Sequence, residues 1–191
     1  MQFYHVLNRG VEKRNIVEDD GDRVRFVTSL FTFNDRAPTP NVVTQSAQWH
    51  DVTRTRDPLV HLHAWCLMDN HYHLLLSPVA DSRENLFLFM KKLNTGYAMF
   101  FNEKYKRSGY LWQGRYKRKE VSNDAYFNWL PYYIHLNPLD FSYPEWRSGN
   151  VTDCQKALKW LTSYRWSSYL DYIGISNFPS LLNRHCRTTI H

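Results

Sequence analysis

The fold of this chain is decided by the stretch Leu67-Met68-Asp69-Asn70-His71-Tyr72-His73-Leu74-Leu75-Leu76, which contains a turn followed by an apolar run of β-forming residues. The strand-like segments 60–68 and 71–77 are separated only by Asp69-Asn70, a length and chemistry typical of a tight hairpin. On a strand, positions i and i+2 point to the same side of the sheet, so His71 and His73 project together. The stretch therefore predicts a β-hairpin whose second strand begins with two neighbouring imidazoles.

Two imidazoles on a rigid element are half of a site for a divalent metal. The same spacing also occurs in pairs of surface histidines or of hydrogen-bonded core histidines. The chain carries a second pair, His61 and His63, among its nine histidines. Spacing alone therefore leaves both interpretations open, a metal site and a structural role.

The remaining secondary-structure signals surround this hairpin in a regular order. They predict a strand at Phe3–Leu7, helices at 22–33 and 83–104, a strand at 115–121 and a helix at 124–136. Pro131 lies inside the last helix and should kink it or start it afresh before Tyr132. The order predicts an α+β fold, a ferredoxin-like antiparallel four-stranded sheet with helices on one face.

Composition narrows the class of protein. A chain of 191 residues fits one domain, and 24 Lys and Arg against 18 Asp and Glu give a net charge of +6, which suits a polyanionic partner. Three cysteines without close spacing argue against a disulfide framework. The N-terminus does not read as a signal peptide, and no apolar run approaches the roughly 20 residues of a membrane helix. We expect a cytoplasmic protein that does not associate with membranes.

The segment 104–119 has an unusual composition. Seven basic residues interleave there with four aromatics and two glycines. Such a segment suits phosphate contacts and base stacking, although a basic run is often only a solvated face. Both interpretations stay open from composition alone.

A second chemical signal lies in Tyr133-Ile134-His135-Leu136-Asn137-Pro138. In a helix, Tyr133 and Asn137 are one turn apart and face the same way, so a phenol and an amide oxygen can approach one point. If His71 and His73 hold a metal at that point, the site has a cation, a third oxygen ligand and a nucleophile.

At these residues the sequence resembles the HUH-type single-tyrosine transposases, and most closely the REP-associated tyrosine transposases of bacteria. Five blocks in the family's order carry the resemblance: Asn8–Gly10, His63–Leu75, Gly109–Tyr116, Tyr133–Pro138 and Trp166–Tyr169. The segments 35–58 and 141–162 have no counterpart in it. The resemblance thus implies an HUH catalytic domain at 1–140, with a variable loop at about 35–58, and a C-terminal extension at 141–191 that packs on it.

The resemblance implies a metal-dependent endonuclease and strand transferase that acts on single-stranded DNA through a 5′-phosphotyrosine. His71 and His73 correspond to the metal ligands, Asn137 to the third ligand and Tyr133 to the nucleophile, with Tyr132 as the competing tyrosine. The expected ion is Mg²⁺ or Mn²⁺. The expected partners are DNA hairpins formed by short REP-like palindromes, bound at the nucleoid by a monomer or a homodimer.

The basic aromatic segment would bind such a hairpin. The residues expected to contact phosphates are Lys106, Arg107, Arg115, Lys117 and Arg118. Tyr110 and Trp112 would stack on bases or pack in the core.

Two other functions compete with this one. The first is a hairpin-binding protein that has lost cleavage and uses its histidines structurally. The second is a zinc hydrolase with water as the nucleophile and ligands drawn from His61, His63, Cys66, His71 and His73. The second leaves the pairing of Tyr133 with Asn137 unexplained.

Overall fold

A four-stranded antiparallel sheet lies at the centre of the molecule. In the computed structural model, which describes residues 1–38 and 56–183, the strands are β1 (Tyr4–Arg9), β2 (Val60–Leu67), β3 (His71–Pro78) and β4 (Lys117–Glu120). Their order across the sheet is β2-β3-β1-β4. This is the order of a ferredoxin-like sheet, so the predicted fold is confirmed.

Two long helices cover one face of the sheet. They are α1 (Asp20–Thr32) and α2 (Arg83–Lys104), and their N-caps Asp19 and Ser82 accept hydrogen bonds from backbone N–H groups of the first turn. Apolar side chains of alternate β1 and β3 positions meet them in the main core, which includes Phe26, Tyr72 and Tyr97. Burial of this apolar surface is the main source of stability for the sheet and the two helices.

The helices α1 and α2 approach each other closely at Gly96. A methyl group at this position would overlap the ring of Phe33, which follows α1. Gly96 therefore sets the spacing between α2 and the end of α1.

A third helix, α3 (Asp124–Leu136), lies on the opposite face of the sheet. Its residues Leu130 and Ile134 pack on Ala64, Cys66 and Leu75 in a second apolar cluster. The predicted arrangement with helices on one face thus describes α1 and α2, and α3 adds a layer on the other side.

Proline does not divide α3. The helix runs from Asp124 to Leu136 with Pro131 inside and buried, so the restart expected before Tyr132 is not observed. Asn123 caps the helix by accepting a hydrogen bond from the backbone N–H of Tyr126 at 2.8 Å. Because α3 is continuous, Tyr133 and Asn137 keep the one-turn relationship that the sequence predicts.

The C-terminal part of the described chain packs around α3 and the edge of β2, and its last turn also contacts α1. It contains 3₁₀ helices at Asn137–Phe141, Pro144–Ser148 and Pro179–Leu181, and the helices α4 (Cys154–Ser163) and α5 (Tyr169–Tyr172); further 3₁₀ turns, Val11–Lys13 and Val79–Asp81, follow β1 and β3.

The segment Trp166–Tyr169 lies along β2. The backbone N–H of Leu67 donates to the carbonyl of Trp166 at 2.9 Å, and that of Ser168 donates to Trp65 at 3.0 Å. Ser168 Oγ also lies 2.8 Å from His135 Nε2 on α3. This segment therefore joins the edge of the sheet to α3. The predicted division into a catalytic domain at 1–140 and an extension at 141–191 stays a prediction.

Some predictions lie outside the described residues. Residues 39–55, which form most of the predicted loop at 35–58, are among these, as is Cys186. Within the described ranges Cys66 is buried, Cys154 is exposed and both are free thiols. None of the helices in those ranges has the length and apolar character needed to cross a bilayer.

Candidate active site

A cavity of about 530 Å³ lies between the α3 face of the sheet and the segment that follows α3. Antiparallel pairing of Leu7 with His73 and of Arg9 with His71 brings these side chains to the same face. The cavity is lined by side chains from β1, β3, the segment before β4, β4 itself, α3 and the segment after α3, among them Arg9, His71, His73, Arg115, Lys117, Tyr133, Asn137, Asp140 and Arg147. All four residues predicted for metal binding and nucleophilic attack therefore meet in one place.

The two predicted metal-binding histidines lie side by side and are uncharged at neutral pH. Their ring centroids are 5.0 Å apart. Burial, followed by the positive charge of Arg9, lowers the pKa of His71 from 6.5 to about 4. Burial also lowers the pKa of His73 well below its usual value. Neutral imidazole is the form that binds metal ions.

The hydrogen bonds of Asn70 define which nitrogen of His71 carries the hydrogen. Asn70 Nδ2 donates to the carbonyl of Lys13 at 3.2 Å, so its Oδ1 is the atom that lies 2.6 Å from His71 Nδ1. An amide oxygen only accepts, so His71 must donate from Nδ1. The lone pair of His71 is therefore on Nε2.

The ring of Tyr133 is held on several sides. It stacks on Trp129 with 4.9 Å between centroids, and it meets the His73 ring edge-on at 5.5 Å. Tyr132, the competing tyrosine, is 46% exposed and is not among the residues that line the cavity. Of the two tyrosines, Tyr133 is the one next to the histidines.

Asn137 is fully buried next to Tyr133. Its Nδ2 donates to the backbone carbonyl of Tyr133, which leaves Oδ1 on the side of Arg147. Arg147 Nη2 donates to this oxygen at 3.1 Å. The oxygen predicted to be the third metal ligand is therefore already an acceptor for a guanidinium group.

Arg147 also forms an ion pair with Asp140 inside the site. Its Nη2 and Nε atoms donate to the two carboxylate oxygens at 2.6 and 2.9 Å, and these hydrogen bonds raise the pKa of Arg147. The guanidinium lies 5.7 Å from the centroid of the Tyr133 ring. Sequence reasoning missed Arg147 because the segment 141–162 has no counterpart in the resemblance, and it missed Asp140 because this residue lies just after the block that ends at Pro138.

The predicted DNA-contacting residues divide into two groups. Arg115 and Lys117 line the cavity. Arg118 pairs with Val6 and lies over the Tyr4 ring, so it is on the α1 and α2 face. The alternation along β4 places Lys119, opposite His5, on the site face instead.

The other predicted DNA contacts do not line the cavity. Lys106 forms an ion pair with Glu103 at 2.8 Å, and Arg107 lies over the Phe101 ring at 5.9 Å. Tyr110 is 87% exposed. Trp112 packs edge-on against the core residue Tyr72, and its Nε1 donates to the carbonyl of Asn94 at 2.9 Å. The structure favours packing in the core over base stacking for Trp112.

The donor set fits a divalent cation of the Mg²⁺ or Mn²⁺ class. His71 and His73 bring two neutral imidazoles to the cavity, and Asn137 brings an amide oxygen, a combination that suits Mn²⁺ better than Mg²⁺. A cavity of about 530 Å³ also has room for water and phosphate oxygens as further ligands.

The zinc ligands of the hydrolase alternative do not converge. In the ranges that the structure describes, no group of three or more His, Cys, Asp or Glu is arranged to hold a metal. His63 Nε2 is 2.8 Å from Ser77 Oγ, and Cys66 Sγ lies against Met68 Sδ at 3.7 Å. Burial raises the pKa of the Cys66 thiol, which opposes formation of the thiolate that zinc needs.

A family model and a solved structure are similar to this chain. None of the curated proteins matches the chain. A solved structure of a REP-associated tyrosine transposase bound to a REP hairpin is similar in fold, with a TM-score of 0.51 and 11% identity over 93% of this chain and 82% of that chain. Residues 52–137 match the family model described as Transposase IS200 like, and this range includes His71, His73, Tyr133 and Asn137. Over these residues the chain is similar to the IS200-like transposases, the family that its sequence motifs resemble.

Proposed function

We propose that this protein is a metal-dependent endonuclease and strand transferase that cleaves single-stranded DNA at REP-like hairpins through a 5′-phosphotyrosine on Tyr133. The observation that carries the proposal is the convergence of Tyr133, His71, His73 and Asn137 on one cavity. The hairpin as substrate is supported by the fold similarity to a hairpin-bound transposase. Action on such DNA in a bacterial cell would take place in the cytoplasm, at the nucleoid.

The chemistry required of Tyr133 is an in-line attack on phosphorus. A bond forms between the tyrosine oxygen and phosphorus, and the bond to the 3′ oxygen breaks. The phenol proton leaves to solvent, and the departing 3′ oxygen takes a proton from water. The phosphodiester energy is retained in the protein–DNA link, so another 3′ hydroxyl can reverse the step and join a new strand without a nucleotide cofactor.

Tyrosine is a weak nucleophile at neutral pH because its ordinary pKa is about 10. Mg²⁺ or Mn²⁺ held by His71, His73 and Asn137 would supply Lewis-acid polarisation of a phosphate oxygen. The stacking of Trp129 on the Tyr133 ring and the edge contact from His73 limit the directions that the phenol can take.

Positive charge around the cavity favours a phosphate at this point. The basic residues that line the cavity come from separate parts of the chain and are Arg9, Arg115, Lys117 and Arg147. The acidic residue among the lining residues, Asp140, is paired with Arg147. The lining therefore keeps an excess of positive charge for the DNA backbone.

A covalent-adduct assay tests the proposal. Labelled hairpin oligonucleotides with single-stranded flanks, drawn from palindromes near the gene, are mixed with protein and Mn²⁺ and separated on denaturing gels. We expect a protein–DNA adduct that a chelator abolishes and that a scrambled oligonucleotide does not give. Tight binding without an adduct would favour the hairpin-binding alternative, and cleavage without an adduct would favour water as the nucleophile.

A further inference from the structure

His5 is a buried histidine that the mechanism above does not use. It lies on β1, is 7% exposed, and stacks on the ring of His73 with 5.1 Å between centroids. Its Nε2 is 2.9 Å from His73 Nδ1, and its Nδ1 is 3.3 Å from the hydroxyl of Tyr126 on α3. Both nitrogens of His5 therefore have partners, and one partner is a predicted metal ligand.

The hydrogen bond between the two rings has a direction that matters for metal binding. A neutral imidazole carries one hydrogen and one lone pair, so across the 2.9 Å between His5 Nε2 and His73 Nδ1 one ring donates and the other accepts. If His73 donates from Nδ1, the lone pair of its Nε2 is available to a cation. If His5 donates instead, Nε2 of His73 carries the hydrogen and cannot bind a metal.

His71, the other predicted metal ligand, has a hydrogen-bond acceptor at the same ring nitrogen. Asn70 Oδ1 accepts from His71 Nδ1 and leaves the lone pair of that ring on Nε2. A partner on the second ring nitrogen is what usually fixes the tautomer and orientation of a metal-binding histidine.

We propose that His5 is a positioning residue that accepts a hydrogen bond from Nδ1–H of His73 and keeps the lone pair on His73 Nε2 before a cation arrives. Tyr126 completes the chain by accepting a hydrogen bond from Nδ1–H of His5. The inference deepens the proposed function and rests on it, because it takes His73 as a metal ligand. It assigns a role to the strand β1, which lies outside the matched range 52–137.

The first test reads the tautomer directly by nitrogen NMR of the metal-free protein with labelled histidines. In the wild-type chain we expect the hydrogen of His73 on Nδ1. In His5→Phe, which keeps a ring but cannot accept, we expect a shift towards the Nε2–H form. A wild-type His73 that carries its hydrogen on Nε2 would overturn the proposal, and this readout needs neither a metal nor DNA.

The second test measures Mn²⁺ affinity of the DNA-free protein by electron paramagnetic resonance of the free ion. We expect His5→Phe to bind Mn²⁺ about 10- to 100-fold more weakly. His5→Gln should recover most of the affinity, since its amide oxygen can accept from His73. The matched control is His63→Phe, a buried histidine bonded to Ser77 that does not line the cavity.

Equal Mn²⁺ affinity in His5→Phe and wild type would contradict the proposal, and so would an equal loss in His63→Phe. If His5→Phe does not fold, the wild-type tautomer and the affinity of His5→Gln still decide. A wild-type protein that forms no adduct with hairpin DNA would instead count against the proposed function, while the NMR result would still decide the direction of the hydrogen bond.

Discussion

Replacing Arg147 with glutamine removes a cation that the segment after α3 brings close to Tyr133, the proposed nucleophile. The guanidinium is 5.7 Å from the centroid of the Tyr133 ring, and at an effective dielectric constant of about 20 two unit charges at this distance interact by about 3 kcal/mol. Tyr133 would carry only part of a charge during attack, and the Arg147 side chain is 44% exposed. We therefore expect about half of this interaction energy. A loss of about 1.5 kcal/mol corresponds to roughly tenfold slower adduct formation.

The assay is single-turnover adduct formation on a labelled hairpin with Mn²⁺, together with urea unfolding of the same proteins. We expect Arg147→Gln to react about tenfold more slowly and to change the free energy of unfolding by less than about 1 kcal/mol, since the pair with Asp140 is partly exposed. Arg83→Gln is the matched control, because Arg83 is exposed at the start of α2 and does not line the cavity. A wild-type rate in Arg147→Gln, or an equal loss in Arg83→Gln, would mean that the charge of Arg147 has no specific effect on the reaction of Tyr133.

Three further predictions concern packing, charge and DNA. Gly96→Ala should lower the free energy of unfolding by about 1–3 kcal/mol in urea titrations, because the added methyl group overlaps the Phe33 ring. Gly114→Ala should lower it by less, because a methyl group at Gly114 meets no other atom; a larger loss in Gly114→Ala than in Gly96→Ala would contradict the packing role of Gly96. Burial, then the charge of His61, lowers the pKa of His63 from 6.5 to about 4, so the stability that neutral His63 provides is present above pH 6.5 and is lost as pH falls towards 4. Between pH 6.5 and about 4, the slope of unfolding free energy against pH should therefore be smaller in His63→Gln by about 1.4 kcal/mol per pH unit. An unchanged slope would count against the lowered pKa of His63. Lys117→Gln should reduce the slope of log affinity for the hairpin against log salt by about 1, and an unchanged slope would mean that Lys117 contacts no phosphate.

The sheet and the long helices could be predicted because their signals are local. The turn at Asp69-Asn70 and the caps Asp19, Ser82 and Asn123 lie next to the elements they limit. Each of the four predicted strands and three predicted helices therefore begins and ends within a few residues of its predicted bounds.

The position of α3 could not be predicted in the same way. Every residue of β3 is buried, including the polar residues His71, His73 and Ser77 on one face, so the strand has no exposed face. With both faces covered, the pattern does not tell on which side a third helix packs. The two-sided arrangement became visible only from the contacts of Leu130 and Ile134 with the sheet.

The site was predictable where chemistry is concentrated in short motifs and was missed where it depends on pairing between distant segments. His71, His73, Tyr133 and Asn137 lie in two motifs, whereas His5 and Arg147 reach the site from elements remote in sequence. These two positions carry no spacing signal of their own.

Two signals in the sequence could have been used further. Alternation along β4 places Lys117 and Lys119 on the site face and Arg118 on the other face, so the period of a strand would have separated them. The core position of Trp112 had no such signal, because it depends on contacts with Tyr72 and Asn94.

In the proposed reaction Tyr133 is the residue that becomes linked to DNA. The direct measurement is mass spectrometry of the adduct formed with hairpin DNA and Mn²⁺, after nuclease trimming and proteolysis. We expect a phosphonucleotide on Tyr133, with no adduct in Tyr133→Phe and a normal adduct in Tyr132→Phe. A phosphonucleotide on Tyr132 or on another residue, or an adduct that persists in Tyr133→Phe, would contradict it.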